Sequence, residues 1–429
     1  MKHPIRLAGL LAGLAIVAGA CGPGGTSSTA PTTAPATGGT PATAAPGSEA
    51  PATMSGKITL WHSYASSGGG AESAEVQALN TLISNIETAN PDLDIESIFV
   101  TFDQSTIFNN FKNESATGGG PDMFIAPNDD LGNMVRGGYF ADLTGKIDDV
   151  LANTSDVAVE GSKVDGKVYM VPESLKAVAM YYDSAKVTTP PATTDELLAY
   201  AEGGGKVGIL TGNYFGWGFY SAFGGSVFDD AGKCAATANS GVADAINYVK
   251  ELNGADTAIV DSAYAKINDP FLAGDLDLIL NGNWALADYR KAIPTLAVAP
   301  FPSGPGGEGR SLTGTDGWYI NAAASDEQQA LAIDVAKYFV SAESQQIMVD
   351  TAGHVPANKN VTSTDALVQS FTDAVYKGFP RPQTEQFGQY WGPFGDAWTK
   401  AIPDDESAGE DPAALVATAC TTMDTANAK

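Results

Sequence analysis

Aromatic rings and short polar side chains recur together wherever this chain leaves an apolar run. Trp61-His62-Ser63-Tyr64 follows one such run, and Asp129-Asp130 follows another. Tyr214-Phe215-Gly216-Trp217, Asn281-Gly282-Asn283-Trp284, Asp316-Gly317-Trp318 and Tyr390-Trp391 repeat the pattern, and Lys176 opens a further apolar stretch. Flat rings stack on apolar C–H faces, while carboxylates, amides and ammonium groups pair with hydroxyls. A cleft carrying both suits a neutral, polyhydroxylated ligand. Each residue also has a plainer reading. Trp61, Trp217 and Trp318 can be core, Asp129 can cap a helix, and His62 can be an ordinary polar loop residue.

The elements that must position these residues alternate. Lys57–Trp61, Leu93–Thr101 and Asp122–Ile125 read as strands; Glu72–Ala89, Ser105–Ala116 and Asp129–Gly138 read as helices. The helix over 72–89 carries Val76, Leu79, Leu82, Ile83 and Ile86 at helical spacing and ends at Asn90-Pro91. Further on, strands are expected at 176–182, 206–210, 276–280, 294–300 and 317–323. Helices are expected at 193–201, 241–252, 263–273, 327–340, 343–351, 365–376 and 412–426. Strand-helix alternation implies parallel sheets with helices on their faces. In open α/β sheets ligands sit beyond the carboxyl ends of strands, where the aromatic clusters fall.

Before this pattern comes a different kind of chain. Lys2 and Arg6 precede an apolar run from Leu7 to Ala20, and the small residues Ala18-Gly19-Ala20 lead into Cys21. This is the anatomy of a signal peptide over 1–20, too short to span a bilayer comfortably. Cys21 resembles the lipidated cysteine of bacterial lipoproteins, although Ala18 stands where that motif usually has Leu. Residues 21–54, rich in Pro, Thr and Ala, read as a tether whose reach is on the order of 100 Å. The expected location is therefore extracytoplasmic, held to a membrane only through lipid on Cys21. The remaining length exceeds what one core usually supports, so two lobes are expected. The net charge of −27 repels nucleic acid and anionic headgroups. Cys234 and Cys420, alone in an oxidising compartment, suggest one disulfide. Three histidines without ligand spacing give no sign of a metal, no Gly-x-Ser-x-Gly elbow marks a serine hydrolase, and no cofactor is expected.

Several segments, in order, resemble the extracytoplasmic family 1 sugar-binding proteins of ABC importers, in particular the maltose and maltodextrin-binding group. They are Lys57 to Tyr64, Gly120-Pro121-Asp122 through Asp129 to Gly132, and Gly137 to Thr144. Gly166 to Pro172, Ala179 to Asp183, Phe271 through Asn281-Gly282-Asn283-Trp284 to Ala285, and Gly353 to Ala357 continue the series. The resemblance implies an α/β periplasmic-binding-protein fold, with two lobes, a hinge and a cleft between them. Lobe one would hold 57–173 plus 311–362, and lobe two 174–310 plus 363–429, which puts both Cys234 and Cys420 in lobe two. Asp129 matches the family's sugar-binding carboxylate, and Tyr214, Trp284 and Trp391 match its stacking aromatics. The full set expected to touch ligand is Trp61, His62, Tyr64, Asp129, Asp130, Lys176, Tyr214, Trp217, Trp284, Asp316, Trp318 and Trp391. Four positions depart from the family pattern: Ala126 replaces an aromatic, Asp130 an arginine, and Lys176 and Gly212 two carboxylates.

The implied protein is a monomeric, non-enzymatic binder that captures a maltodextrin-like glucoside by lobe closure and delivers it to an ABC permease. Two other classes stay open on the residues alone. The Asp129-Asp130 pair also suits a cation such as a polyamine, or a peptide. The many carboxylates also suit a glycoside hydrolase, which needs two inward acids at fixed separation.

Overall fold

The computed structural model describes residues 53–64, 73–101, 106–229, 232–403 and 408–428. The leader, Cys21 and the tether as far as Ala52 lie outside the described residues. The tether expected to reach residue 54 stops short of it: the Met54 N–H donates to Asn90 Oδ1 at 2.9 Å, and its side chain packs on a core.

Among the described residues fourteen strands carry the fold. They are β1 Gly56–His62, β2 Leu93–Phe99, β3 Met123–Pro127, β4 Lys163–Val164, β5 Lys167–Val168, β6 Val171–Lys176 and β7 Val178–Asp183. After these come β8 Val207–Leu210, β9 Ile259–Asp261, β10 Leu278–Gly282, β11 Leu296–Ala299, β12 Leu312–Ile320, β13 Val355–Pro356 and β14 Phe379–Pro380. One sheet has the order β13-β6-β12-β3-β1-β2, with β14 paired to β12; a second runs β11-β7-β10-β8-β9, and β4 and β5 form a separate antiparallel pair. β1 is parallel to β2 and β3, and β10 and β9 are both parallel to β8, whereas β12 is antiparallel to β3 and β6, and β7 to β10 and β11.

Local chemistry sets the element ends. Ser73 Oγ accepts the Val76 N–H to open the helix Ala74–Ala89, whose stripe of Val76, Leu79, Leu82, Ile83 and Ile86 is buried. Thr193 and Glu196 form a capping box on Thr194–Glu202. The helix Gly241–Leu252 matches the expected bounds.

Two expected strands change. The single strand over 176–182 is the junction of two: β6 ends at Lys176 in the first sheet, and β7 starts at Val178 in the second. Only Ala177 separates them, so the chain changes sheets without a loop. β6 also runs past the expected lobe boundary at 173. The strand over 317–323 begins earlier, at Leu312, and is buried along its whole length.

The helix Ala366–Lys377 packs on the second sheet, with Phe371 5.0 Å from Tyr181. On the opposite face of that sheet, with Val178 and Met180, a disulfide joins Cys234 to Cys420, with Cα atoms 5.3 Å apart. It ties the loop before helix 241–252 to the C-terminal helix Pro412–Asn427.

Candidate functional site

Between the ends of the two sheets lies a cleft of about 540 Å³. From the first sheet it is lined by Tyr64 after β1, Pro127 and Asp129 at the end of β3, Lys176 at the end of β6, and Gly314 and Asp316 on β12. Glu75, in the first turn of helix 74–89, reaches it from the same side. From the second sheet come Tyr214 and Phe215 after β8, Tyr264 at the start of helix Tyr264–Leu272, and Trp284 after β10.

The second-sheet wall is aromatic. Trp284 lies 5.9 Å from Tyr214 and 6.1 Å from Phe215, and its indole N–H donates to Tyr264 Oη at 3.3 Å. Asn281 donates to the Tyr264 and Tyr289 hydroxyls at 3.1 and 2.6 Å, so buried amide chemistry fixes the platform from beneath. Two glycines make room for it. A Cβ on Gly282 would fall 2.0 Å from the Trp284 ring, so only glycine lets the indole lie back over the strand end. Gly212 turns the chain from β8 toward Tyr214 at φ +112°, a conformation side chains resist. That geometry accounts for glycine where the family pattern has a carboxylate.

The first-sheet wall is charged and self-paired. Lys176 Nζ lies 2.8 Å from Asp316 and 3.7 Å from Glu75. His354, 1% exposed, sets Nε2 2.9 Å from Glu75 and Nδ1 3.2 Å from Glu173. Burial alone would lower the His354 pKa, but the charge and hydrogen bond of Glu173, followed by those of Glu75, raise it to about 10, so the ring is an imidazolium. Burial would likewise drive Glu75 up, yet Lys176 and then His354 bring it below the ordinary carboxylate range. Lys176 is pushed up, because Asp316 and Glu75 outweigh its burial. Burial raises Asp316 despite Lys176, and its Oδ1 has no hydrogen-bond partner among the described residues.

Of the residues expected to touch ligand, the structure brings Tyr64, Asp129, Lys176, Tyr214, Trp284 and Asp316 into this cleft. Trp391 stands at its edge, 5.7 Å from the Arg381 guanidinium. The others lie elsewhere. Trp61 packs with Phe108 and Phe124 behind β1, Trp217 lies 5.2 Å from Tyr390 in the second-sheet core, and Trp318 lies 5.0 Å from Phe339. His62 is buried beside Tyr64 and Phe99, and its Nδ1 accepts the Tyr64 N–H at 3.3 Å. Burial lowers its pKa to about 4, so it is a neutral prop for Tyr64. Asp130 pairs with Lys112 at 3.1 Å and Asn133 at 2.6 Å, outside the cleft.

Sequence reasoning missed Glu75, Tyr264, Phe215 and Arg381. Glu75 left a readable signal: it stands four residues before Leu79 on the apolar stripe of its helix, where a carboxylate needs a buried partner. Arg381, in Phe379-Pro380-Arg381-Pro382, is a cation in a segment that two prolines hold extended. It pairs with Asp129, which gains from a distance the arginine missing at position 130. Among the described residues no helix is long and apolar enough to cross a membrane.

Comparison with known proteins places this geometry. Residues 81–373 match the family model described as bacterial extracellular solute-binding protein. The maltotriose-binding protein of Pyrococcus abyssi is 26% identical over 82% of this chain and 79% of its own. A maltooligosaccharide ABC transporter solute-binding lipoprotein of Streptococcus pneumoniae is 27% identical over 65% of this chain and 71% of its own. Among solved structures, the maltotriose binding protein of Thermus thermophilus, bound with maltotriose, superposes with a TM-score of 0.75 at 27% identity, covering 86% of this chain and all of that one.

Proposed function

Because this chain belongs to the bacterial extracellular solute-binding proteins, we propose that it captures a maltodextrin-like sugar outside the cytoplasm and hands it to an ABC permease. The observation that carries this reading is the pairing of walls in the cleft. An aromatic platform of Tyr214 and Trp284 faces Asp129, Lys176 and Asp316 across about 540 Å³. A pyranose ring presents an apolar face to the first and hydroxyls to the second. The relatives in Pyrococcus abyssi, Streptococcus pneumoniae and Thermus thermophilus are named for maltotriose or maltooligosaccharides, which supports the same ligand class here.

The cleft lies between two sheets that are joined directly at Ala177, so binding acts through closure. Sugar that touches both walls favours the closed form, and the monomer in that form docks on the permease. Cys21 carries lipid, and the segment behind it is a leash; the lipoprotein among the relatives supports this. The protein is a binder and not an enzyme, as its matched relatives are solute-binding proteins.

A thermal-shift screen of the mature chain with maltose, maltotriose, amino acids and spermidine tests the ligand class. Stabilisation by maltooligosaccharides is expected; stabilisation by spermidine alone overturns the sugar reading, and hydrolysis of the sugar overturns the binder. Mass spectrometry of the purified N-terminus tests the anchor, with a diacylglyceryl group on Cys21 expected and an unmodified terminus refuting it.

A further inference from the structure

A second cavity, of about 610 Å³, lies against the sugar cleft. Its lining includes Asn128, Glu160, Thr313, Thr315, Gln383 and Thr384, polar groups able to pair with hydroxyls. Among the described residues the two cavities share a single lining residue, Arg381. Alternation along two strands explains the partition. On β12, Gly314 and Asp316 face the cleft while Thr313 and Thr315 face the second cavity; after β3, Asp129 and Asn128 divide the same way.

Arg381 fills the gap the strands leave. Its guanidinium carbon lies 5.5 Å from the Tyr214 ring centre and 5.7 Å from that of Trp391. It pairs with Asp129 on the cleft side, and Nη1 donates to Asn128 Oδ1 at 3.2 Å on the other. The backbone is held as firmly, with Arg381 N–H donating to Thr313 O at 3.1 Å. Gly314 makes the passage possible, since a Cβ there would meet the guanidinium at 2.9–3.2 Å. Arg381 Nε and Trp391 Nε1 are buried donors without a hydrogen-bond partner among the described residues, at the boundary where a sugar chain would end.

We propose that Arg381 is the end wall of the sugar cleft and sets the length of oligosaccharide the protein accepts. This rests on the sugar reading above. With the guanidinium in place, a short maltooligosaccharide fills the cleft, and added glucose units find no room beyond it. Without it, the two cavities join, the Tyr214 and Trp391 ring faces are bared, and a longer chain runs into the polar space behind.

Calorimetric titration of the mature chain and its Arg381→Ala variant with maltose, maltotriose, maltotetraose and maltoheptaose tests this. The ratio of maltoheptaose to maltotriose affinity is expected to rise about tenfold in R381A. A ratio unchanged while all affinities fall together makes Arg381 merely structural and overturns the proposal. If R381A does not fold, Gly314→Ala, which displaces the guanidinium while keeping the arginine, is read by the same ratio. A wild-type chain that binds none of these sugars refutes the proposed function itself, an outcome distinct from an unchanged ratio.

Discussion

The two walls of the cleft are held in opposite ways. The second-sheet wall is a group of rings resting on amide and hydroxyl contacts, and it presents uncharged surface. The first-sheet wall is a line of alternating charge: Glu173, His354, Glu75, Lys176 and Asp316, each within 4 Å of the next. Buried charges are tolerated only when paired, and removing one member leaves its neighbours uncompensated. The rings carry no such debt. Under the proposed function, a ligand would meet a wall that contributes stacking energy and a wall that contributes selectivity. The first can lose a member at the expense of affinity, the second only at the expense of folding.

The sharpest way to break this contrast is His354→Ala. It strands Glu75 and Glu173 in the interior and should cost about 3–5 kcal/mol of stability. The His354 pKa is about 10 in the fold against an ordinary 6.5. Its contribution is thus complete below about pH 6.5 and is lost as pH climbs through 10. Urea unfolding at pH 6, 8 and 10 should show the gap between wild type and H354A closing at the alkaline end. A variant as stable as wild type at pH 6 would mean that the charged wall does not hold itself together.

Next in size is the disulfide, which braces only the side of the molecule that carries the rings. Cys234→Ser with Cys420→Ser should cost about 2–4 kcal/mol, because the bridge closes a long loop in the unfolded chain. Maltotriose affinity should hardly move, since neither cysteine lines the cleft. Trp284→Ala should do the reverse, weakening maltotriose binding by about 2 kcal/mol, roughly thirtyfold, with the fold intact. Unchanged affinity in W284A would remove the aromatic wall from the site.

The same contrast decides what was legible in the sequence. Periodicity gave the helices well, as in Gly241–Leu252, because a stripe of apolar residues needs no partner to be recognised. It failed at the crossing between sheets. Lys176 to Tyr182 reads as one strand, and only the tertiary pairing of Lys176 with Asp316 and Glu75 shows where the first sheet ends. Rings were found but not sorted, since a core tryptophan and a stacking tryptophan share one residue type. Trp318 stands two residues after the cleft-lining Asp316. The β12–β6 register shifts between Asp316 and Gly317, and Trp318 packs on Phe339 instead. The charged wall was the least legible, because its members come from positions 75, 173, 176, 316 and 354. Glu75 alone carries a local mark, its place on an apolar stripe, and nothing local marks the partners that compensate it across such separations.

The smallest expected effect separates the charged line from the groups around it. His62 and His354 both contact Tyr64, with ring centres 5.7 and 5.9 Å away, yet they hold opposite charge states. His354 sits between two carboxylates; His62 meets apolar rings and a backbone N–H. Burial lowers the His62 pKa to about 4 against an ordinary 6.5, so the unfolded chain takes up a proton that the folded chain refuses. Its contribution is present above about pH 6.5 and is lost as pH falls toward 4, amounting to roughly 1 kcal/mol by pH 5.5. His62→Asn keeps an acceptor for the Tyr64 N–H and cannot be protonated there. Its unfolding free energy should therefore fall less than that of wild type between pH 7 and 5.5, while that of H354A should fall more, because it lacks the stabilisation that His354 still gains until it is complete below pH 6.5. If H62N and wild type lose stability in parallel, acid sensitivity belongs to the carboxylates of the charged line, and His62 plays no part in setting it.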